Sequence, residues 1–229
     1  MDYGKVCVIL PTYNRFAYVC RAIESVLAQT YTNFEIIVVD DASTDPQYDN
    51  NKLEAYPKTT VIHLNTNMRT VLKTKAAQGA TRDIGIENSK GIWVAFLDDD
   101  DVWLPDKLMT QLSELQKAPG VLMCSTNYYK DEPPYDPAKH TTPLHAELTN
   151  FLTYDVGKCV TSGMIVHREI IKFVGHHTIG PAEDHNYWLR AMYMSPVLYI
   201  GTPLVVYDNV HSLGMFYHYE YKGPDGATS

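Results

Sequence analysis

Apolar runs of strand length recur through the first half of the chain, at residues 6–10, 35–39, 61–64, 92–97 and 121–125. Runs this short and continuous are typical of strands that are buried on both faces of a parallel sheet. Between them, apolar residues recur at helical spacing in residues 19–27, 76–87 and 108–115. This alternation predicts an α/β domain with a mostly parallel central sheet flanked by helices. Pro11 marks the predicted end of the first strand.

The pattern becomes less regular after residue 126. Residues 130–143 contain four prolines and are predicted to form a loop. Short strands are predicted at 164–167, 198–200 and 204–207, and a helix at 183–194. The chain is therefore interpreted as one domain with a regular half (about 1–126), a less regular half (about 127–221) and a tail (222–229).

Composition narrows the function classes. The 229 residues suit one domain with one core, and the formal net charge of −8 disfavours a nucleic-acid partner, whose binding surfaces are usually basic. No apolar run approaches the roughly 20 residues that span a bilayer, and the N-terminus shows no signal-peptide pattern. We therefore predict a cytoplasmic protein and leave peripheral contact with a membrane open. The four cysteines form no CxxC pair and are interpreted as buried free thiols.

The strongest chemical signal lies at residues 98–101, where four aspartates follow an apolar run directly. Carboxylates this close repel one another, and a divalent cation would offset the repulsion. Mg²⁺ and Mn²⁺ prefer oxygen ligands and commonly bridge carboxylates to substrate phosphates. The run therefore predicts a metal and phosphate site at the end of a strand. The alternative is an acidic loop that caps the helix near Pro105, and Asp101 is the aspartate best explained as structural.

A second acidic strand end is formed by Asp40 and Asp41, which should lie near the first in a shared sheet. Either this pair accepts a hydrogen bond from a nucleobase N–H, or it belongs to a plain Asx turn. Just after the first strand, Tyr13 could stack on a base. Asn14 as a helix cap explains that segment equally well.

The acidic pair Glu183 and Asp184 opens an amphipathic helix. Acidic side chains favour helix N-termini, so the pair has a structural explanation. The functional alternative is a general base, and the pattern alone does not choose between them.

Taken in order, these motifs resemble the family 2 glycosyltransferases, whose fold is called GT-A. The resemblance extends from about residue 6 to residue 211, and the ordered set is specific although each motif alone is weak. The matching segments are residues 11–15, 40–45, 80–83, 96–101, 103–108, 162–164, 183–190 and His211. The resemblance implies a single Rossmann-like domain whose first half binds a nucleotide sugar and whose smaller second half faces the acceptor.

The resemblance also implies roles for particular residues. Asp184 would be the catalytic base. The nucleotide sugar would contact a set of residues from the first half: Pro11, Thr12, Tyr13, Arg15, Asp40, Asp41, Arg82, Asp98 and Asp99. Mn²⁺ or Mg²⁺ would be held mainly by Asp100, with Asp98 and His211 as further ligands.

The implied activity is transfer of a hexose from a nucleotide diphosphate sugar to an acceptor hydroxyl, with inversion and with help from the metal. A UDP-sugar is favoured by family habit, and the acceptor could be a glycan, a lipid-linked molecule or a protein. Two alternatives stay open. One is a haloacid-dehalogenase-type phosphatase, suggested by residues 96–102, and the other is a non-catalytic module that only binds nucleotide sugars.

Some positions depart from the family pattern. Asn209 stands where an arginine is usual, which weakens the role of His211, and Asp83 stands where an asparagine is usual. Several histidines in or near the predicted acceptor region are interpreted as surface or loop residues rather than metal ligands: His140, His145, His176 and His177.

Overall fold

The computed structural model describes residues 2–130, 144–150, 152–153, 158–180 and 182–208. Over these residues the chain forms one nine-stranded sheet with helices packed on both faces. The strands are β1 (Val6–Thr12), β2 (Phe34–Asp40), β3 (Thr59–His63), β4 (Trp93–Phe96), β5 (Val102–Trp103), β6 (Met123–Lys130), β7 (Ala146–Thr149), β8 (Ile165–His167) and β9 (Val197–Tyr207). The helices are α1 (Phe16–Leu27), α2 (Met68–Leu72), α3 (Gln78–Glu87), α4 (Lys107–Gln116), α5 (Arg168–Val174) and α6 (Glu183–Met192).

The strand order is β3-β2-β1-β4-β8-β6-β9-β5, with β7 paired to β9. Strands β1 to β4 run parallel, and Thr12 lies opposite Asp40 at the carboxyl ends of β1 and β2. Strand β8 is antiparallel between β4 and β6, and β9 is parallel to β6. The predicted α/β domain with a mostly parallel sheet is confirmed. Because β1, β2 and β4 are parallel, their carboxyl ends meet at one edge of the sheet.

Both faces of the sheet are buried, which explains why its strands are continuous apolar runs in the sequence. On one face Val8 and Leu10 pack with α1 and α4, and on the other Ile9 and Val39 pack with α3, α5 and α6. The alternation follows the two-residue period of a strand. Fully burying one such side chain contributes about 1.5–3 kcal/mol, so the two apolar layers fix the platform on which the strand ends lie.

Pro11 does not end β1, so that prediction is wrong: the strand continues to Thr12. The carbonyl of Ile9 accepts from the N–H of Leu97 at 3.1 Å, so Pro11, two residues on, faces the same side. Strand β4 has already ended at Phe96 there. A proline is tolerated because no neighbouring strand needs its missing N–H.

The second half differs more from the sequence predictions. The strands predicted at 198–200 and 204–207 are one strand, β9, whose register against β6 shifts around Asn127, opposite Pro203. The bulge accommodates Pro203, which lies between the two segments predicted as separate strands. Four elements were not predicted, because two are helices too short to show a helical period and two are strands without a long apolar run: α2, α5, β5 and β7. Of the predicted loop at 130–143, residues 131–143 lie outside the described part, as does the tail.

Two compositional predictions can be compared with the structure. The four cysteines are free thiols, as predicted, and three of them are buried while Cys20 is half-buried. Among the residues that the structure describes, no helix has both the length and the apolar character that crossing a bilayer requires.

Candidate active site

The carboxyl ends of β1, β2 and β4 bring most of the predicted site residues to one edge of the sheet. Thr12 links two of these ends, because its hydroxyl donates to Asp99 Oδ2 at 2.9 Å. The same edge of the sheet carries the acidic pair after β2 and the aspartates at residues 98–101, called the aspartate run below. Asn209 and His211 lie outside the described residues, so the structure says nothing about the third predicted metal ligand.

The acidic end of β2 is held by backbone amides and one histidine. Asp40 Oδ1 accepts from the Ser43 N–H at 3.0 Å, which is the turn contact that the structural alternative required, and Oδ2 lies 2.8 Å from His63 Nδ1. Asp41 Oδ1 accepts from the Met68 N–H at 2.7 Å. Burial raises the pKa of Asp41 to about 6. The strand therefore ends in rigid acceptor groups, the kind that a base N–H needs.

The turn after β1 is tied to the turn after β2. Asn14, at φ 52°, accepts through Oδ1 from the N–H groups of Thr44 at 2.7 Å and Asp45 at 3.1 Å. Asn14 is therefore not the cap of α1. Arg15 occupies the cap position without a side-chain capping bond. Tyr13 is 39% exposed at the edge of this joint, where its ring is accessible for stacking.

The aspartates of the run have different partners. Asp98 pairs with Arg82 and keeps a third of its side chain exposed. Asp99 and Asp100 share one guanidinium: Arg15 Nη1 lies 3.1 Å from Asp99 Oδ1 and 3.0 Å from Asp100 Oδ2. Two arginines therefore pair with three carboxylates of the run.

Asp101 lies deeper and has a structural role, as interpreted from the sequence. It is fully buried, and its carboxylate accepts from the Ser162 hydroxyl and from the Asp208 N–H at 3.2 Å. Arg21 reaches the same corner, with Nη2 3.3 Å from Asp208 Oδ2. These contacts tie the aspartate run to the end of β9.

The carboxylates of the run are short of positive charge. Burial raises the pKa of Asp99 to about 7, against the opposing effect of Arg15. Burial and then repulsion from Asp98 raise the pKa of Asp100. Burial and the charge of Asp100 raise the pKa of Asp101 well above its usual range. A cation near these groups would lower all three pKa values.

The donor set fits a hard divalent cation. Asp98 and Asp100 present carboxylate oxygens close enough for their repulsion to raise the pKa of Asp100. Within the described ranges, no three His, Cys, Asp or Glu side chains form a ready-made group that could hold a metal ion. Protein ligands from the run would therefore need substrate oxygens or water beside them, which is common for Mg²⁺ sites.

Helix α6 begins beside the same cleft. Arg82, fully buried in α3, has Nη1 3.5 Å from Glu183 Oε1. Burial alone would lower the pKa of Arg82, but the charges of Asp98, Glu183 and Asp184 raise it above its usual value. Half-buried Asp184 accepts from the Thr161 hydroxyl at 3.2 Å. The structure thus brings the predicted base, the predicted diphosphate-facing arginine and the aspartate run together.

Some residues of the site escaped sequence reasoning. The Tyr48 hydroxyl lies 2.8 Å from Thr12 Oγ1, and no local pattern marked this tyrosine. Ser162 Oγ accepts from the Asp98 N–H at 3.0 Å, although no role was predicted for the motif at residues 162–164. His177 was interpreted as a surface or loop residue: it does lie in the loop between α5 and α6, but its side chain is fully buried rather than at the surface. The other two described histidines of that set are exposed: His145 and His176.

Comparison with known proteins gives a consistent result. A model described as glycosyl transferase family 2 matches residues 7–175. The Escherichia coli protein named UDP-Glc:alpha-D-GlcNAc-diphosphoundecaprenol beta-1,3-glucosyltransferase WfaP is 30% identical over 188 residues, which are 82% of this chain and 70% of that protein. The chain spans only 19% of the length of an uncharacterized glycosyltransferase from Rickettsia felis that it matches at 39% identity over 55% of its own length.

Solved structures show the same fold. Staphylococcus aureus TarS aligns with a TM-score of 0.72 at 20% identity, over 89% of this chain and 36% of TarS. The mannosyltransferase PcManGT from Pyrobaculum calidifontis, solved with GDP-Man and Mn²⁺, aligns with a TM-score of 0.65 at 20% identity, over 92% of this chain and 58% of that one. The fold is therefore that of the GT-A glycosyltransferases.

Proposed function

Because the chain belongs to glycosyl transferase family 2, we propose that it transfers a hexose from a nucleotide diphosphate sugar to an acceptor hydroxyl, with inversion at the anomeric carbon. The observation that carries the proposal is the cleft at the strand ends. There Arg82 pairs with Asp98 and lies 3.5 Å from Glu183, the neighbour of Asp184. Asp99 and Asp100 share Arg15, and the Thr12 hydroxyl donates to Asp99 from the end of β1.

The end of β2 is the proposed base site. Asp40 and Asp41 would accept from N–H groups of the base, Tyr13 would stack on it, and Pro11 and Thr12 would line its pocket. A uracil base is favoured, since WfaP is named for UDP-Glc and TarS has also been solved with UDP-GlcNAc. The GDP-Man complex of PcManGT makes guanine the alternative to test.

The end of β4 is the proposed diphosphate site. Arg15 and Arg82 would face the diphosphate, and Asp99 would lie near the ribose. Asp98 and Asp100 would hold Mn²⁺ or Mg²⁺, with His211 as a further ligand; the Mn²⁺ of PcManGT supports the choice of metal. When bound, such an ion supplies positive charge that stabilises the departing diphosphate.

Asp184 is the proposed general base. Its carboxylate, oriented by Thr161, takes the proton of the acceptor hydroxyl. The acceptor oxygen forms a bond to the anomeric carbon on the face opposite the diphosphate. The bond between that carbon and the diphosphate oxygen breaks, and the nucleoside diphosphate leaves with the electron pair. Attack from the opposite face gives inversion.

The acceptor would be bound by the second half, about residues 127–221, while residues 1–126 bind the donor. We propose a lipid-linked sugar as acceptor, because WfaP is named for a diphosphoundecaprenol-linked substrate. A glycan or protein acceptor is the alternative, and an acceptor screen with the identified donor would separate the three.

The experiment that tests the proposal is calorimetric titration of UDP, GDP and dTDP, each with Mn²⁺ and again with EDTA. We expect UDP to bind in Mn²⁺ and to bind at least about tenfold more weakly in EDTA, because the metal screens diphosphate from carboxylates. If no nucleotide bound under either condition, the proposal would be wrong.

The same samples test the two alternatives, neither of which the comparisons support. Hydrolysis of a generic phosphomonoester without nucleotide binding would point to the phosphatase. Nucleotide-sugar binding with neither transfer nor hydrolysis would point to the non-catalytic module.

A further inference from the structure

His177 is a buried polar side chain in the loop between α5 and α6, and the mechanism above gives it no role. Its side chain is fully shielded, whereas its neighbour His176 is 72% exposed. Asp83 of α3 contacts it twice: Oδ2 accepts from the His177 backbone N–H at 2.9 Å, and Oδ1 lies 2.6 Å from Nδ1. Because a carboxylate only accepts, Nδ1 carries the proton and the ring orientation is set by Asp83.

The same imidazole connects this loop to α6 and to the sheet. It stacks on Tyr187 with ring centroids 3.9 Å apart and planes at 10°. Tyr187 lies three residues after Asp184, about one helical turn. Phe96, the last residue of β4, approaches the ring edge-on at 6.4 Å. One side chain therefore contacts α3, α6 and the strand that leads into the aspartate run.

The contact between α3 and α6 is tightly packed. A Cβ added to Gly79 of α3 would lie 2.5 Å from His177 Cβ and 2.8 Å from Glu183 Cγ. Helix α6 begins without a side-chain cap, after Ala182 in the left-handed conformation at φ 57°. Packing against α3, rather than a local cap, therefore sets where α6 begins.

The polar groups of the stack contribute a directional hydrogen bond rather than better packing. Neither His177 Nε2 nor Tyr187 Oη has a hydrogen-bond partner among the described residues, and both atoms are buried. Leaving a buried polar atom unpaired is unfavourable. Two apolar rings would fill this space without that cost, but only the imidazole adds the directional bond to Asp83.

We propose that the Asp83–His177–Tyr187 stack positions Asp184. Asp83 follows Arg82 in α3, so one helical turn presents Arg82 to the aspartate run and Asp83 to His177. By holding α6 against α3, the stack sets the distance between the proposed base and the diphosphate site. The stack residues are positioning residues, and this role rests on the proposed function.

The test compares His177→Phe, which keeps a ring of similar volume and removes the Nδ1 bond, with His176→Phe, the matched change at the exposed neighbour. We expect His177→Phe to lower kcat about 10–100-fold, as loss of a supporting partner commonly does, with donor KM and the Kd of UDP within about threefold of wild type. Hydrogen exchange of the amides at 183–187 should become faster. His176→Phe should change neither kcat nor the amide exchange at 183–187.

A kcat for His177→Phe within twofold of wild type, or a loss confined to donor KM, would overturn the proposal. Unchanged amide exchange at 183–187 would overturn it as well. If wild type transferred no sugar at all, the proposed function would fail, and amide exchange would still decide whether the stack fixes α6. Should His177→Phe not fold, Asp83→Ala removes both acceptor oxygens from the same side chain and is expected to give the same pattern.

Discussion

The aspartates at the two acidic strand ends of the cleft are held by different kinds of partner. After β2, Asp40 and Asp41 accept from backbone amides, which are neutral and cannot move away, and Asp40 also contacts the ring of His63. After β4, Asp99 and Asp100 are held by the guanidinium of Arg15, a charge on a long side chain. Both regions are buried, and burial raises the pKa of Asp41 to about 6 and that of Asp99 to about 7.

The difference indicates what each region is suited to do. Acceptors fixed by amides keep one geometry, which favours recognition of a base by its hydrogen-bonding groups. Carboxylates neutralised by a side-chain cation can exchange that cation for another, which favours a site where a metal and a diphosphate come and go. The predictions below test this division, from the largest expected effect to the smallest.

Asp184 belongs to neither strand end. Replacing it therefore tests whether donor binding depends on the two strand ends and not on the proposed base. We expect Asp184→Asn to lower kcat by about 10²–10⁴-fold, since general-base help is lost, with UDP binding within twofold of wild type. Transfer rate at saturating donor and calorimetry measure the two effects. Glu169→Gln, an exposed acid at the start of α5, is the control. Near-normal transfer by Asp184→Asn would show that the base is misassigned.

Asp100→Asn tests the exchangeable strand end directly. Loss of one of the two proposed carboxylate ligands should weaken Mn²⁺-dependent UDP binding at least about tenfold and leave binding in EDTA nearly unchanged. Calorimetry in both buffers measures this. Asp106→Asn, an exposed aspartate before α4, should behave as wild type. If Asp100→Asn and Asp106→Asn lost UDP affinity equally, the effect would come from the change in net charge alone.

Arg15→Gln removes the cation shared by Asp99 and Asp100. With two carboxylates left without it, the free energy of unfolding should fall by about 1–3 kcal/mol in EDTA, as read from thermal or urea melts. Mn²⁺ should stabilise this variant more than wild type, since it binds the folded state. Arg15→Lys keeps a charge and should lose less. A Gln variant as stable as wild type in EDTA would contradict the described role of Arg15.

Asp41→Asn tests the fixed strand end through pH. The folded-state pKa of Asp41, about 6, lies above its ordinary value of 3.8, so the folded protein binds the proton more tightly. Ionisation therefore lowers stability as the pH rises from about 4 to 6. The neutral Asn avoids this loss, so the variant should match wild type near pH 4 and melt a few degrees higher at pH 8, while binding UDP several-fold more weakly. A stability difference that does not change with pH would contradict the assignment.

Much of the regular half, about residues 1–126, could be predicted because its signals are local. Strands buried on both faces read as continuous apolar runs, and the aspartates of residues 98–101 are consecutive in the chain. The second half gave weaker signals. Strand β9 passes through Pro203 only because a bulge against β6 absorbs it. The unpredicted helices α2 and α5 are too short to show a helical period, and β5 and β7 carry no long apolar run.

The amino-acid sequence specified most of the segments that form the sheet and which acids stand at its ends, because burial period and chemical type are carried by neighbouring residues. Only the tertiary structure decided the long-range partners of these acids. Arg15 meets Asp99 across 84 positions, and His177 meets Asp83 across 94. Such pairings depend on strand register and helix packing, which bring distant residues together and leave no mark in any short stretch of sequence.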